Sequence, residues 1–223
     1  MESLRVRELA SFAKAASREM ARLTADRKNE ILHTIARAIR ENGDRILEAN
    51  RVDIDNAEKN GIRPAMIDRL KLTSKRIDEM AEGAIQVAKL ADPVGEVISE
   101  AARPNKLVIR KVRAPLGVIG IIYESRPNVT LDAAVLCLKS GNSVVLRGGK
   151  EAINSNIAIA KLMREAIAAC GVDPNAVCLV SDTSRDSATE LMGLKGLIDV
   201  LIPRGGAGLI RSVVENARVP VIE

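Results

Sequence analysis

A chain of 223 residues, 47% of them hydrophobic, is long and apolar enough to bury a core, which excludes a disordered or fibrous protein. Its formal net charge of +5 is only mildly basic, and aromatic residues make up 1% of the chain. Proteins that bind nucleic acid combine clustered cations with stacking aromatic side chains, so we expect no nucleic-acid partner.

The histidine and cysteine content limits the metal and redox chemistry available. A single histidine, His33, excludes a site built from paired histidines. The three cysteines, Cys137, Cys170 and Cys178, lack the spacing of a structural zinc site and are predicted to be structural thiols, so we expect no metal. Free cysteines indicate a reducing compartment, which predicts a cytoplasmic protein. The longest apolar run, Leu116–Tyr123, is too short to span a bilayer, so we expect no membrane partner.

The first 92 residues are predicted to be helical. Through residues 9–39 apolar side chains recur at i, i+3, i+4 and i+7, which places an apolar stripe on each of two helices. Thr24 and Thr73 are predicted N-caps. Gly43 is predicted to end a helix at its C′ position, and Asp44 to cap the helix that follows.

The spacing of apolar residues changes from Val94 onward. Residues 107–113 alternate apolar and basic side chains, which indicates a strand with one solvent-facing side, and residues 101–106 are predicted to be a loop. Leu116–Tyr123 is instead a continuous apolar run, which is typical of a strand covered on both faces.

Residues 114–223 are predicted to alternate strand and helix. After the apolar run, helices are expected at 127–140, 151–170, 184–194 and 206–217, and strands at 143–147, 177–180, 198–202 and 219–222. This alternation predicts an α/β fold with a doubly wound, mostly parallel sheet, whose ligands lie beyond the carboxyl ends of the strands. Because domains seldom end on a buried strand, we expect the chain to be a fragment.

The first strand-to-helix turn carries a candidate oxyanion donor. Asn128 follows Pro127 at the start of a predicted helix, so its amide lies near the positive end of the helix dipole. A donor in that position suits a negatively charged oxygen. A helix cap, or a bond to local backbone, is the alternative interpretation and is favoured on chemistry alone.

Two further turns combine glycines with cations. Gly148 and Gly149 lie between Arg147 and Lys150, and Arg204 precedes a Gly-Gly pair and the next predicted helix. Helix N-termini with free N–H groups bind phosphate, so together these turns favour a dinucleotide or another phosphorylated ligand. Ordinary glycine turns with solvated charges are the alternative interpretation.

These turns and further motifs run in the order of one enzyme family. The chain resembles the gamma-glutamyl phosphate reductase family, also called glutamate-5-semialdehyde dehydrogenases, of the aldehyde dehydrogenase superfamily. The motifs that carry the resemblance are Asp68-Arg-Leu, Asp92-Pro-Val-Gly, Pro115-Leu-Gly-Val-Ile-Gly-Ile-Ile-Tyr-Glu-Ser-Arg-Pro-Asn-Val-Thr, Leu138-Lys-Ser-Gly-Asn, Leu146-Arg-Gly-Gly-Lys-Glu and Ile202-Pro-Arg-Gly-Gly-Ala-Gly-Leu. They extend over essentially the whole chain.

The resemblance implies a reaction and a cofactor. Members of this family use NADPH to reduce gamma-glutamyl phosphate to glutamate-5-semialdehyde with release of phosphate, a step of proline synthesis that passes through a cysteine thioester. It also implies that residues 1–223 are an NADP-binding domain with a helical part (1–92), a hairpin (93–113) and a Rossmann-like part (114–223). The hairpin is expected to pair subunits in a homo-oligomer of the full-length enzyme.

Roles for individual residues follow from the same resemblance. Asn128 matches the superfamily's oxyanion asparagine. Arg147 and Lys150 fall where two cations suit a 2′-phosphate, with Gly148 and Gly149 between them. The segment Arg204, Gly205 and Gly206 matches the turn that faces the cofactor pyrophosphate, and Arg126 is a candidate for the substrate's anionic groups.

The family's nucleophilic cysteine lies in a second domain, beyond Glu223. None of the three cysteines of this chain matches it, so we expect the chain to be catalytically inactive alone. A non-catalytic NADP-binding or assembly module is the alternative prediction.

Overall fold

Helices dominate the N-terminal part of the computed structural model, which describes residues 5–223. The helices are α1 (Val6–Met20), α2 (Ala25–Glu41), α3 (Gly43–Lys59), α4 (Pro64–Leu70) and α5 (Ser74–Lys89). The threonine N-caps are confirmed, because Thr24 Oγ1 accepts a hydrogen bond from the Arg27 N–H (3.4 Å) and Thr73 Oγ1 from the Arg76 N–H (3.2 Å).

The predicted roles of Gly43 and Asp44 are wrong. Asn42 separates α2 from α3, and Gly43 is the first residue of α3 rather than the C′ residue of α2. Both the backbone N–H and the side-chain amide of Asn42 donate to the Ala38 carbonyl, so no left-handed glycine is needed to end α2. Asp44 lies in the first turn of α3, where its charge complements the helix dipole.

An antiparallel hairpin follows, with strands β1 (Val97–Ala102) and β2 (Val108–Val112). The loop predicted at 101–106 starts too early, because Ala101 and Ala102 pair with Ile109 and Val108. The prediction of one covered side is also wrong, since every residue of both strands is exposed. Alternation in this segment therefore does not mark a face packed on the core of the described chain.

The remaining residues form a doubly wound α/β unit, which confirms the predicted fold class. Its elements are β3 (Val118–Tyr123), α6 (Pro127–Lys139), β4 (Ser143–Arg147), α7 (Ile153–Ala169), β5 (Val177–Leu179), α8 (Arg185–Gly193), β6 (Val200–Arg204) and α9 (Ala207–Asn216). The four strands are parallel in the order β5-β4-β3-β6, so the sequence order reverses between β3 and β6. Ligands of such sheets bind at this switch point.

The strand predicted at 219–222 is reduced to one bridge between Leu201 and Val221. Leu201 N–H donates to the Pro220 carbonyl, and Ile222 N–H donates to the Leu201 carbonyl. Pro203 and Pro220, on either side of the bridge, lack the N–H groups that extend a ladder, so the segment lies beside β6 without forming a regular strand.

Alternate residues of β3 enter two separate cores. Ile119, Ile121 and Tyr123 pack in the cluster that contains α2, α5, α6 and α7, whereas Val118 and Ile122 face the cluster that contains α1, α8 and α9. All six residues of β3 are buried, as the continuous apolar run predicts. In the described part of the chain, no helix combines the length and apolarity needed to cross a membrane.

Candidate functional site

The carboxyl ends of β3, β4 and β6 meet at one edge of the sheet, because the strands are parallel. Two cavities at this edge are lined by Met66 of α4 and by Arg63, the residue that precedes α4. One of about 460 Å³ also contacts Arg147 and Gly149, and one of about 570 Å³ also contacts the turn after β6. The structure thus places the three predicted strand-to-helix turns around a shared, cation-lined region.

Asn128 is the second residue of α6, directly after Pro127. Its Nδ2 donates to Asp132 Oδ2 at 3.0 Å, one helical turn onward, and its described contacts include no capping bond. A carboxamide carries two N–H donors, so this bond leaves one for a ligand. The amide lines a third cavity, of about 490 Å³, which also contains Arg126 and Asp132.

Arg147, the last residue of β4, turns toward the start of α8. Its Nη2 donates to the carbonyls of Thr183 and Ser184, both at 2.7 Å, while its Nε is buried without a partner among the described residues. Burial lowers the pKa of the Arg147 guanidinium. The side chain therefore connects β4 to the turn before α8, and its Nε–H has no acceptor among the described residues.

Close packing accounts for the two glycines after β4. A Cβ on Gly148 would lie 2.4 Å from Asn156 Nδ2, and a Cβ on Gly149 would lie 2.2 Å from Ser125 Oγ. The turn passes directly against the end of β3, where Ser125 Oγ donates to the Glu151 carboxylate. Glycine is thus required here by contacts within the chain, whether or not a ligand approaches.

We expect Gly149→Ala to lower the free energy of unfolding by about 1–3 kcal/mol, because the added methyl group overlaps Ser125. Gly83→Ala is the matched control: Gly83 lies in α5 with open space around it, so alanine there should raise stability by about 0.5–1 kcal/mol. Urea unfolding of the three proteins measures both changes. A Gly149→Ala protein as stable as the parent would contradict the packing explanation.

Lys150 does not share the cavity of Arg147. It lines a separate space of about 480 Å³ with Asp53 and Asn154, and Glu151 lies between the two cavities. The two cations predicted to bind one phosphate thus face different cavities.

The turn after β6 already holds an anionic group from the chain itself. Glu124 Oε1 accepts a hydrogen bond of 2.7 Å from the Gly206 N–H, at the start of α9. A Cβ on Gly205 would lie 2.8 Å from the same side chain. Glu124 therefore occupies the helix N-terminus predicted for a pyrophosphate, and an anionic ligand there would displace this carboxylate.

Arg126 is exposed at the entrance to α6 and contacts two of the cavities, together with Arg69 of α4. The buried cysteines, Cys137 and Cys178, do not line any of these three cavities. Burial raises the pKa of the Cys137 thiol to about 12 and that of the Cys178 thiol to about 11, so neither is a thiolate at neutral pH. Cys170 caps the C-terminus of α7, before Gly171 with its φ of 70°.

The sequence interpretation missed two acidic residues of this site. Asp132 lies four residues after Asn128, and that spacing on one helix is a local signal from which their contact could have been predicted. Glu124 directly follows the buried strand β3 and is the partner of the Gly206 N–H. Its contact joins two strand ends 82 residues apart, which no local pattern indicates.

Comparison with known proteins identifies the family. The aldehyde dehydrogenase family profile matches residues 2–220. A curated gamma-glutamyl phosphate reductase from Carboxydothermus hydrogenoformans is 58% identical over 218 residues, which cover 98% of this chain and 52% of that protein.

Solved structures agree with that assignment. The gamma-glutamyl phosphate reductase of Thermotoga maritima has a TM-score of 0.97 and 43% identity, covering 99% of this chain and 53% of that one. The Saccharomyces cerevisiae reductase has a TM-score of 0.90 and 31% identity, covering 99% and 56%. The chain thus spans about half the length of the relatives that it matches.

Proposed function

The chain belongs to the aldehyde dehydrogenase family, and from this we propose that it is the cofactor-binding part of a gamma-glutamyl phosphate reductase. The complete enzyme would reduce gamma-glutamyl phosphate with NADPH to glutamate-5-semialdehyde, NADP⁺ and phosphate, as a step of cytoplasmic proline synthesis. Residues 1–223 form its NADP-binding domain, and the hairpin at 93–113 serves subunit pairing. The nucleophilic cysteine comes from a second domain.

The observation that carries this proposal is the grouping of polar donors at one sheet edge. Asn128, at the start of α6, has one side-chain N–H without an acceptor among residues 5–223, and Arg126 adds positive charge to the same cavity. In the proposed reaction that N–H donates to the acyl oxygen as negative charge develops on it, assisted by the dipole of α6. Arg126 attracts the anionic substrate to the cavity.

A nicotinamide cofactor fits the β4 end of this edge. Arg147 Nε is a buried donor without a partner in the described chain, next to the Gly148–Gly149 turn and a cavity of about 460 Å³. We propose that Arg147 and this turn hold the adenosine end of NADP, and that Lys150 contributes charge nearby. At the β6 end, Arg204, Gly205 and Gly206 are available to a pyrophosphate once Glu124 leaves the Gly206 N–H. When bound, NADPH supplies the hydride.

We expect the protein to prefer NADPH over NADH, and Arg147→Gln to reduce that preference by about 10- to 100-fold. The loss corresponds to one hydrogen bond between charged groups, at about 1.4 kcal/mol per tenfold change. Arg37→Gln, an exposed arginine on α2, is the control and should leave the preference unchanged. Fluorescence titration with both dinucleotides gives the ratio. Equal affinities in the parent protein would remove Arg147 from a 2′-phosphate role.

A second candidate function applies to the 223-residue chain by itself. Its buried cysteines have raised pKa values and do not line the three cavities at the carboxyl ends of β3, β4 and β6, which favours a non-catalytic NADP-binding or assembly module. Complementation of a bacterial strain that lacks this reductase separates the two. We expect the full-length polypeptide to restore growth without proline and the 223-residue chain to fail. A full-length polypeptide that fails while the T. maritima reductase succeeds would contradict the proposed function.

A further inference from the structure

The cavity next to Asn128 contains charges of both signs. It lies between the α4–α5 connection and the start of α6, with a volume of about 490 Å³. Its cations are Arg69, Lys71, Arg76 and Arg126, and its carboxylates are Asp68, Glu79 and Asp132. A ligand that matches this lining carries both an anionic and a cationic group.

Asp132 is the least exposed of the three carboxylates that line this cavity. It is partly buried on α6 and accepts one hydrogen bond, from Asn128 Nδ2 at 3.0 Å. No lysine or arginine forms a salt bridge with it among the described residues. Burial raises the pKa of the Asp132 carboxyl, only partly opposed by the Asn128 bond and the charge of Arg204. A partly buried carboxylate is stabilised by pairing with a cation, and the ionised Asp132 side chain has no such partner in the described part of the chain.

Of the four cations that line this cavity, one forms hydrogen bonds within residues 5–223 and three do not. Arg76 Nη1 donates to the backbone carbonyls of Asp68 and Lys71, so this guanidinium holds the α4–α5 connection in place. The side chains of Arg69, Lys71 and Arg126 make no hydrogen bond or salt bridge within the described chain. These three charges remain available to an anionic group of a ligand.

We propose that Asp132 binds the α-ammonium group of the substrate, while Arg69 and Arg126 take its α-carboxylate. The inference rests on the proposed function, in which Asn128 contacts the acyl oxygen at the opposite end of the molecule. Four bonds separate the γ-acyl carbon of a glutamyl group from its α-nitrogen, about 5 Å when extended. Because the side chains of Asn128 and Asp132 are in contact, a substrate of this length reaches both of them at once. The cavity thereby selects an α-amino acid over a simple dicarboxylic acid derivative.

The test compares two aldehydes in the oxidative direction, with the full-length enzyme. Glutamate-5-semialdehyde carries the α-ammonium group, and 5-oxopentanoate is the same molecule without it. We expect the enzyme to prefer the former in kcat/KM by about 10- to 100-fold, the range of one charged hydrogen bond. Asp132→Asn should bring this ratio close to one through a higher KM for glutamate-5-semialdehyde. Glu79→Gln, in the same cavity, should leave the ratio unchanged.

A binding measurement keeps the proposal testable without turnover. By calorimetry, L-glutamate should bind the full-length protein more tightly than glutarate, and Asp132→Asn should make the two affinities equal. Equal affinities in the parent protein would overturn the proposal. If the full-length protein oxidises neither aldehyde but still binds L-glutamate more tightly than glutarate, the role of Asp132 in binding the ammonium group is supported and the reductase activity is overturned.

Separate measurement of kcat and KM distinguishes substrate binding by Asp132 from a role in which Asp132 only orients the Asn128 amide. If Asp132 only holds the Asn128 amide, Asp132→Asn lowers kcat on both aldehydes equally and leaves their ratio at the parent value. That result would overturn the proposal.

The pH profile gives an independent readout. Protonated Asp132 does not attract an ammonium group, so kcat/KM for glutamate-5-semialdehyde should fall as pH drops through the raised pKa of Asp132. In Asp132→Asn this acidic limb should be absent. The other charged groups that face Asp132 are Arg204 and those that line the cavity, which are Asp68, Arg69, Lys71, Arg76, Glu79 and Arg126. An unchanged limb in the variant would contradict the assignment.

Stability should change in the opposite direction to activity. A carboxyl whose pKa is raised on folding destabilises the native state above its unfolded pKa, so Asp132→Asn should raise Tm at neutral pH. A variant that loses substrate selectivity while gaining stability cannot owe that loss to unfolding.

Discussion

Asn128→Ala should lower kcat of the full-length enzyme by about 100- to 1000-fold, the effect of removing one oxyanion donor. The physical reason is the position of Asn128, the second residue of α6: Asp132 accepts from one of its two side-chain N–H groups, and the other has no acceptor in the described part of the chain. That free donor strengthens its bond as charge develops on the acyl oxygen. Steady-state rates measure the loss, which should appear in kcat, with a smaller change in KM.

Asn216→Ala is the matched control for this variant. Asn216 is an exposed residue at the end of α9 whose side-chain amide donates to the Ser212 carbonyl. Its removal should leave kcat unchanged. If Asn128→Ala retains the parent kcat, Asn128 has no role in charge stabilisation and its contact with Asp132 is purely structural.

The largest stability change is expected from Asp53→Ala. Asp53 of α3 is 2% exposed and accepts four hydrogen bonds: from the N–H (3.1 Å) and side-chain amide (2.8 Å) of Asn154, and from the N–H (2.8 Å) and Oγ (2.6 Å) of Ser155. Both backbone donors lie in the first turn of α7, where no intrahelical acceptor exists. Alanine would leave them unpaired. We expect a loss of about 3 kcal/mol or more, and a drop in Tm of about 6–12 °C.

The same network reaches the wall of the Asn128 cavity. Asn50 Nδ2 donates to Ser155 Oγ (3.0 Å) and to the Leu70 carbonyl (2.9 Å), and Asn50 Oδ1 accepts from the Leu72 N–H (2.8 Å). Asp53 therefore helps to hold the α4–α5 connection through Ser155 and Asn50. Asp53→Ala should lose stability first and substrate affinity as a consequence.

Asp55→Ala provides the comparison on the same helix. Asp55 is exposed, so its removal should change the free energy of unfolding by less than about 0.5 kcal/mol. Thermal and urea unfolding of the 223-residue chain measures both variants. Equal stability of the Asp53 and Asp55 variants would show that the Asp53 network contributes little to the fold.

Local sequence patterns correctly predicted those structural features that depend on a single physical requirement. Continuous apolar residues in β3 required cover on both faces, and Thr24 and Thr73 each had a backbone donor to accept from. The prediction that Gly43 ends α2 was wrong because Asn42 caps that helix through its side-chain amide. The preference of glycine for the C′ position gives no information about such a neighbour. The predicted strand at 219–222 does not form because Pro203 in β6 and Pro220 in the C-terminal segment both lack the N–H group that would extend the ladder.

The sequence predicted only those features of the site that depend on residues close together in the chain. Asn128 and the glycine turns follow from helix starts at strand ends. The occupation of the Gly206 N–H by Glu124, the separation of Lys150 from Arg147, and the turn of Arg147 toward α8 all depend on tertiary placement. The sequence pattern contains no information on which of several cations faces a given cavity.

The most direct test of the reductase assignment is phosphate-dependent reduction of NADP⁺ by the purified full-length polypeptide. With glutamate-5-semialdehyde and inorganic phosphate together, we expect one NADPH formed per aldehyde oxidised to the acyl phosphate, and no NADPH when either is left out. NADPH formation that proceeds without phosphate would identify an ordinary aldehyde dehydrogenase, and none under any of these conditions would contradict an oxidoreductase acting on this substrate.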